Sequence, residues 1–212
     1  MYEPPLHRET DLERQHALIA ARRLGLLISC GPQGLVANAV PFLLDRAASR
    51  LGTLKCHVAR ANPQWRDLAE SPEALVVFQG ADHYVSPSWY ATKRETHKVV
   101  PTWNYVMVQA RGAARVIEDD AWLQRQIEAL TARQESSHET PWAVGDAPAD
   151  FIALQRKAIV GLEIEISDIR GKWKTSQNRS AADRAGVVEN LERLGDEEAL
   201  AMAAIVRETG NG

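Results

Sequence analysis

What most limits the fold of this chain is its rhythm of short apolar runs broken by turn residues. Leu26 to Cys30 and Leu35 to Val40 flank Gly31-Pro32-Gln33-Gly34, a strand, tight turn and strand. Leu51 to Val58 follows the polar loop Asp45 to Arg50 as a further strand. Ala74 to Phe78 and His83 to Ser86 are strand candidates, and Val100 to Val116 is a long strand or a bulged pair. Within it Trp103, Tyr105 and Met107 alternate with Thr102, Asn104, Val106 and Val108, so the two sets face opposite sides of a sheet. Gly112 fits a bulge. Ile159 to Ile169 alternates again, Leu162, Ile164 and Ile166 against Glu163, Glu165 and Ser167.

Helical spacing occupies Glu9 to Arg23, Pro63 to Glu70, Asp120 to Gln134 and Phe151 to Lys157. The tail Ser180 to Thr209 reads as two helices parted near Gly195-Asp196, with Asp183, Arg184, Glu189, Glu192 and Arg193 on a polar side. Six or seven strands with irregularly placed helices lack the regular alternation of a doubly wound sheet. The expected class is mainly β (α+β), a small barrel with peripheral helices.

Hydrophobic residues at 45% and charged residues at 25% give an ordinary globular balance, and 212 residues suit one ample domain or one domain with a small appendage. The formal net charge of -3 argues against nucleic acid as the main ligand, because phosphate neutralisation needs a basic excess. Cys30 and Cys56 lie in strand-like runs and are expected as buried free thiols. No apolar run is long enough to span a bilayer, and the start, Met1 to Pro5, lacks a signal-peptide pattern; the expected compartment is the cytoplasm.

Four segments carry residue types suited to a flat or phosphorylated ligand. In His57-Val58-Ala59-Arg60-Ala61-Asn62-Pro63 a strand ends, an arginine follows and a helix begins. Asn62 suits a cap and Pro63 the first helical position. Helix amides and the Arg60 fork together could cradle a phosphomonoester; the same residues also describe a capped helix with a surface arginine. In His83 to Tyr90, Ser86 and Ser88 flank Pro87 before Trp89 and Tyr90, giving hydroxyls and ring faces beside a planar ligand or a turn with packed aromatics.

Val100 to Tyr105 offers Thr102 and Asn104 on one side and Trp103 and Tyr105 on the other. A flavin ring needs polar partners at its pyrimidine edge and apolar groups over its face, and core packing accounts for the pattern equally well. Arg170 to Arg179 holds four positive charges and no acidic residue after a strand, a loop suited to phosphate or simply to solvent. There is no HExxH, metal-spaced Cys/His cluster, P-loop, GxSxG elbow or strand-borne GxGxxG. His7 and His16 are expected at the surface, and His97 and His138 in loops.

In order along the chain stand HVARANPQW (57–65), VVFQGADHYVSPSWY (76–90), VPTWNYVMVQARG (100–112), IVGLEIEI (159–166) and GKWKTSQNR (171–179). Together they resemble the PaiB family of FMN-binding proteins, described as negative transcriptional regulators, over the chain from its start to about Leu194. The resemblance implies a split β-barrel spanning 1–170, with 171–212 as a basic loop and helical extension packed on it. It also implies a homodimer with FMN sites at the subunit interface. By the matching motifs, His57, Ala59, Arg60 and Asn62 would lie near the phosphate and ribityl chain. Ser86, Ser88 and Trp89 would stand beside the cofactor, and Thr102, Trp103 and Asn104 would approach the ring. Lys172, Ser176 and Gln177 would close the site. Trp173 within the basic loop and the charged tail beyond Leu194 carry no assigned role.

Three functions are compatible with these residues. One is a flavin-binding transcriptional regulator; the sequence holds no clear helix-turn-helix, so DNA contact would be local or indirect. A second is a flavin oxidoreductase or reductase using NAD(P)H, in which flavin supplies the redox chemistry and no catalytic acid or base stands out. A third is a haem- or deazaflavin-binding protein on the same barrel, for which His57 or His83 would be the axial ligand to haem.

Overall fold

The computed structural model describes residues 1–32 and 34–209; Gln33 of the expected turn and positions 210–212 of the expected extension lie outside the described residues. Strands are β1 (Arg8–Glu9), β2 (Leu24–Gly31), β3 (Gly34–Pro41), β4 (Leu43–Asp45), β5 (Thr53–Ala59), β6 (Glu73–Val85), β7 (Thr102–Ile117) and β8 (Ile159–Lys174). Helices are α1 (Leu12–Ala21), α2 (Gln64–Glu70), α3 (Thr92–Thr96), α4 (Asp120–Glu135), α5 (Ala149–Lys157), α6 (Ala181–Leu194) and α7 (Glu197–Thr209). The strands hydrogen-bond in one sheet in the order β3-β2-β6-β7-β8-β5-β4, with β1 added to β8. The mainly β class is as the alternation implies, but the ladder has two ends, β3 and β4, rather than a closed circuit.

Two differences from the sequence reading of the strands have physical causes. Ala74 to Phe78 and His83 to Ser86 are parts of one strand, β6, because Gly80 is buried in the strand and not a turn. A Cβ at Gly80 would lie 2.4 Å from the Val106 side chain, so glycine marks a close approach there. The basic stretch expected as a loop from Arg170 continues β8 to Lys174, where β1 pairs with it, Arg8 opposite Lys172 and Glu9 opposite Gly171. Among the described residues no helix is long and apolar enough to cross a membrane.

Contacts divide the chain into two compact units. One unit comprises Met1–Leu18, Gln79–Val108 and Arg170–Gly212; the other comprises Ile19–Phe78 and Gln109–Ile169. The extension belongs with the first unit because α6 and α7 build its core: Ala81, Val85, Tyr90, Val187, Leu191, Met202 and Val206 form one buried cluster. Gly195, at φ +75°, ends α6 in the left-handed conformation that glycine adopts without a Cβ clash. Asp183, expected on the polar side of the tail, is only 3% exposed. Its carboxylate accepts from Thr92 N (2.9 Å) and Thr92 Oγ1 (2.8 Å), and Ser180 Oγ caps its amide.

The second unit is a strand-built core. β2 pairs with β3 from Leu24 opposite Pro41 to Gly31 opposite Gly34, and with β6 at Leu26 opposite Val77 and Ile28 opposite Leu75. Gly25, Leu27 and Ser29 turn inward, while Leu24, Leu26 and Cys30 turn outward. Cys30 is thus exposed, correcting the expectation of two buried thiols; Cys56 is buried, and burial pushes its thiol pKa up. Gln64 of α2 is buried and donates Nε2 to Leu27 O and Ser29 Oγ while its Oε1 accepts from Asn38, so this polar group is consumed by the fold. β5 pairs with β8 from Thr53 opposite Glu165 to Ala59 opposite Ile159.

Candidate functional site

In the unit containing Arg170–Gly212, two of the expected segments are stitched together by side chains. Asn104 Nδ2 donates to Ser176 Oγ at 2.9 Å, and both residues are buried. Ser176 sits at φ +66°, a left-handed conformation that costs a serine energy and is retained where surrounding contacts fix it. Lys174 Nζ donates to Thr102 Oγ1 at 2.6 Å and to Trp103 O at 2.8 Å. The sequence reading passed over Lys174. Once β8 is read through to this point, Lys172 and Lys174 share a strand face, and both ammonium groups lie over Tyr105, at 5.1 and 6.0 Å.

Charge here is concentrated and partly desolvated. Lys172 is only 7% exposed; its Nζ donates to Tyr2 O at 3.0 Å. Burial holds the Lys174 ammonium below the ordinary lysine range, Tyr105 opposing and Lys172 and Arg179 adding repulsion. Arg179 stacks on Tyr90, 4.4 Å from the ring centroid. Gln177 Oε1 accepts from Thr175 N at 2.8 Å and pairs with His7 Nδ1 at 3.1 Å, while its Nε2 donates to Trp173 O. His7 is half-buried and His16 buried, where the sequence suggested a surface.

The remaining expected residues of this unit stand close along the chain. Ser86 Oγ accepts from Ser88 N at 3.2 Å, and Ser88 Oγ accepts from Lys93 at 3.0 Å. Trp89 lies 6.0 Å from the His83 ring. A Cβ at Gly186 would fall 2.1 Å from Trp89 O, so the absence of a side chain on α6 lets the Trp89 backbone approach. Trp103 is exposed, donates Nε1 to Asp82 Oδ1 at 2.7 Å, and meets Tyr84 edge-on at 6.0 Å.

His57, Ala59, Arg60 and Asn62 belong to the other unit. His57 Nδ1 pairs with Gln126 Oε1 at 2.7 Å; Gln126 interrupts the apolar stripe of α4, the signal by which sequence could have found it. Gln126 Nε2 is a buried donor with no hydrogen-bond partner. Ala59 is exposed at the end of β5. Asn62 Oδ1 accepts from Gln64 N at 3.0 Å, as the cap reading expects, although the helix proper starts at Gln64 and is only seven residues long.

Arg60 departs from the picture of a free fork. Its Nη1 donates to Glu118 at 2.6 Å, Nε to Lys157 O at 3.0 Å and Nη2 to Ile159 O at 3.3 Å. A phosphate on this side chain would compete with Glu118 for the guanidinium.

Each unit, taken by itself, holds residues of kinds that a flavin can use. The orphaned Gln126 amide is a donor suited to a phosphate or carbonyl oxygen. Lys172, Lys174 and Arg179 supply positive charge, and Trp103 and Tyr84 supply exposed ring faces. When bound, flavin would contribute one- and two-electron redox chemistry; the chain's part is to hold and orient it.

Comparison with known proteins gives the family and the fold. Residues 1–168 match the family described as "Putative FMN-binding domain". An uncharacterised protein of Emericella nidulans is 36% identical over 99% of this chain and 98% of its own length. The protease synthase and sporulation protein PAI 2 of Bacillus subtilis is 28% identical over 98% of this chain and 97% of its own length. Among solved structures, the FAD and haem binding protein of Mycobacterium smegmatis shares the fold at a TM-score of 0.59 and 20% identity, over 79% of this chain and 73% of that one. The architecture is therefore that of the split-barrel flavin-binding proteins, and the chain belongs to the PaiB-like family of FMN-binding domains.

Proposed function

We propose that this protein binds flavin mononucleotide as a cytoplasmic homodimer and acts as a flavin-linked negative regulator of transcription. The observation that carries the flavin reading is the bonding of Thr102 and Asn104 to Lys174 and Ser176. It joins two segments distant in sequence, and it gathers amide, hydroxyl and ammonium groups of the kind a flavin's polar edges require. The proposed contact set is His57, Ala59, Asn62, Ser86, Ser88, Trp89, Thr102, Trp103, Asn104, Lys172, Ser176 and Gln177, to which Lys174 and Gln126 are added. Arg60 remains a candidate for the phosphate, at the expense of its bond to Glu118.

The regulatory part is supported by the Bacillus relative, whose name joins "protease synthase" with "sporulation protein". A net charge of -3 favours regulation through a protein partner or flavin state over broad contact with DNA.

The test is titration of cofactor-free protein with FMN and with riboflavin, followed by flavin fluorescence. Saturation at one FMN per chain, weaker for riboflavin, supports the reading; no binding of either overturns it. Steady NAD(P)H oxidation by the FMN-loaded protein would replace regulation with a reductase activity.

A further inference from the structure

The stretch Met1–Glu9 lies across the end of β8 without burying any residue of its own. Arg8 pairs opposite Lys172 and Glu9 opposite Gly171. Ahead of this pairing, Tyr2 O accepts from Lys172 Nζ at 3.0 Å, and His7 Nδ1 donates to Gln177 Oε1 at 3.1 Å. Glu3 meets Arg170 at 3.7 Å. Tyr2 and Leu6 point to water, 83% and 55% exposed. Strand pairing, hydrogen bonds and long ion pairs therefore hold this stretch down, rather than apolar burial, and a segment so held opens at low cost.

What the stretch covers calls for an anion. Lys172 is only 7% exposed, yet its ammonium rests on neutral groups: the Tyr2 carbonyl, and the rings of Tyr2 and Tyr105 at 5.5 and 5.1 Å. Lys174, over the same Tyr105 ring, adds repulsion rather than relief. A buried cation ordinarily has a counter-charge, since its lost hydration is otherwise uncompensated. Gln177 is covered in the same way: its carbonyl is taken up by His7 Nδ1 and Thr175 N.

We infer that, on the reading that Lys172 and Gln177 contact the flavin, Met1–Glu9 is an autoinhibitory strap that holds these two side chains and lifts when the flavin takes them. The direction of the exchange follows from charge. A phosphate oxygen is an anion and the Tyr2 carbonyl is not, and a charge-assisted hydrogen bond is about twice as strong as a neutral one. The flavin therefore displaces the strap, and the closed strap lowers the apparent affinity in proportion to its population. Linkage is reciprocal: whatever frees the strap strengthens flavin binding by the same factor.

Two measurements on the full chain test this. Hydrogen exchange of wild type, flavin-free and FMN-saturated, is expected to show the amides of residues 2–9 exchanging at least ~3-fold faster with FMN bound. His7→Ala and Glu3→Gln each remove one hold on the strap, and each is expected to raise FMN affinity by ~2–10-fold, the worth of an ordinary hydrogen bond or surface ion pair. Exchange that slows or stays the same when FMN binds overturns the strap, and so do two variants that bind FMN no more tightly than wild type. If a variant fails to fold, the exchange of wild type decides. Failure of the flavin reading itself looks different: wild type and both variants then bind no FMN at all, and the strap falls with it.

Discussion

The two units of this chain bury polar groups for different ends. In the unit built from Ile19–Phe78 and Gln109–Ile169, Gln64 is exhausted by backbone and side-chain partners on β2 and β3, a bond set that pins α2 to the strands. In the unit containing Arg170–Gly212, Lys172, Thr175 and Ser176 are buried within one short stretch, and Ser176 bonds Asn104, while Gln15, His16 and Asp183 are buried elsewhere along the chain. There one serine is held in a left-handed conformation and one lysine is partly stripped of water. A core needs neither. The difference teaches where to look: polar groups satisfied by the sheet are scaffold, while clustered charge kept at an energetic cost marks a site.

The largest expected effect tests the scaffold. A Cβ at Gly112 would fall 1.9 Å from Glu165 O, a backbone atom of β8 that cannot swing aside. Gly112→Ala is expected to destabilise by about 3 kcal/mol, read as a lowered thermal midpoint. An unchanged midpoint would mean that the sheet yields more readily than its close pairing implies.

Lys174→Ala tests the other side of the comparison. It should lower FMN affinity by ~10–100-fold while moving stability little, since a charged hydrogen bond contributes about 1.5–3 kcal/mol. A loss of stability without loss of affinity would make Lys174 scaffold after all. The pH dependence has a definite sign. The depressed pKa means the cation is lost at a lower alkaline pH than for an ordinary lysine, so FMN affinity should fall as pH rises through that range. A profile that is flat there would separate Lys174 from the ligand.

Asp183→Ala removes the acceptor of Thr92 N and Oγ1, and about 1–3 kcal/mol of stability should go with it. Asp183→Asn should recover part of the loss, because one carbonyl oxygen still accepts. Chemical denaturation of the three proteins measures both. Arg60→Ala should cost stability ~1 kcal/mol or less, since its bond to Glu118 is solvent-accessible. It weakens FMN more than riboflavin only if Arg60 exchanges Glu118 for phosphate. The smallest effect is chemical: Cys56 should resist thiol reagents until the chain unfolds, because burial suppresses the thiolate.

Alternation and helical spacing were enough to place the long strands near 100–117 and 159–169 and the helices near 120–135 and 181–209. They were also enough to choose a mainly β architecture over a doubly wound one. Strand β4 and the short β1 escaped notice because three- and two-residue strands carry no measurable period; β1 exists because β8 offers an edge at Gly171 and Lys172. Of the site, the ordered motifs pointed to Asn104 and Ser176, but not to their bond. Lys174 was hidden by taking a basic run for a loop.

By itself, then, the sequence determined the element types, the family and the residue kinds of the candidate site, because periodicity and ordered motifs are local properties of a chain. Tertiary structure decided which polar groups are spent. Arg60 is bound to Glu118, Asp183 is buried under Thr92, Lys174 rests on Thr102, and Cys30 faces outward opposite Leu35. Each of these pairings joins residues remote in sequence or depends on strand register, and a hydrogen bond or a burial is fixed by where the partner lands, which no local pattern encodes.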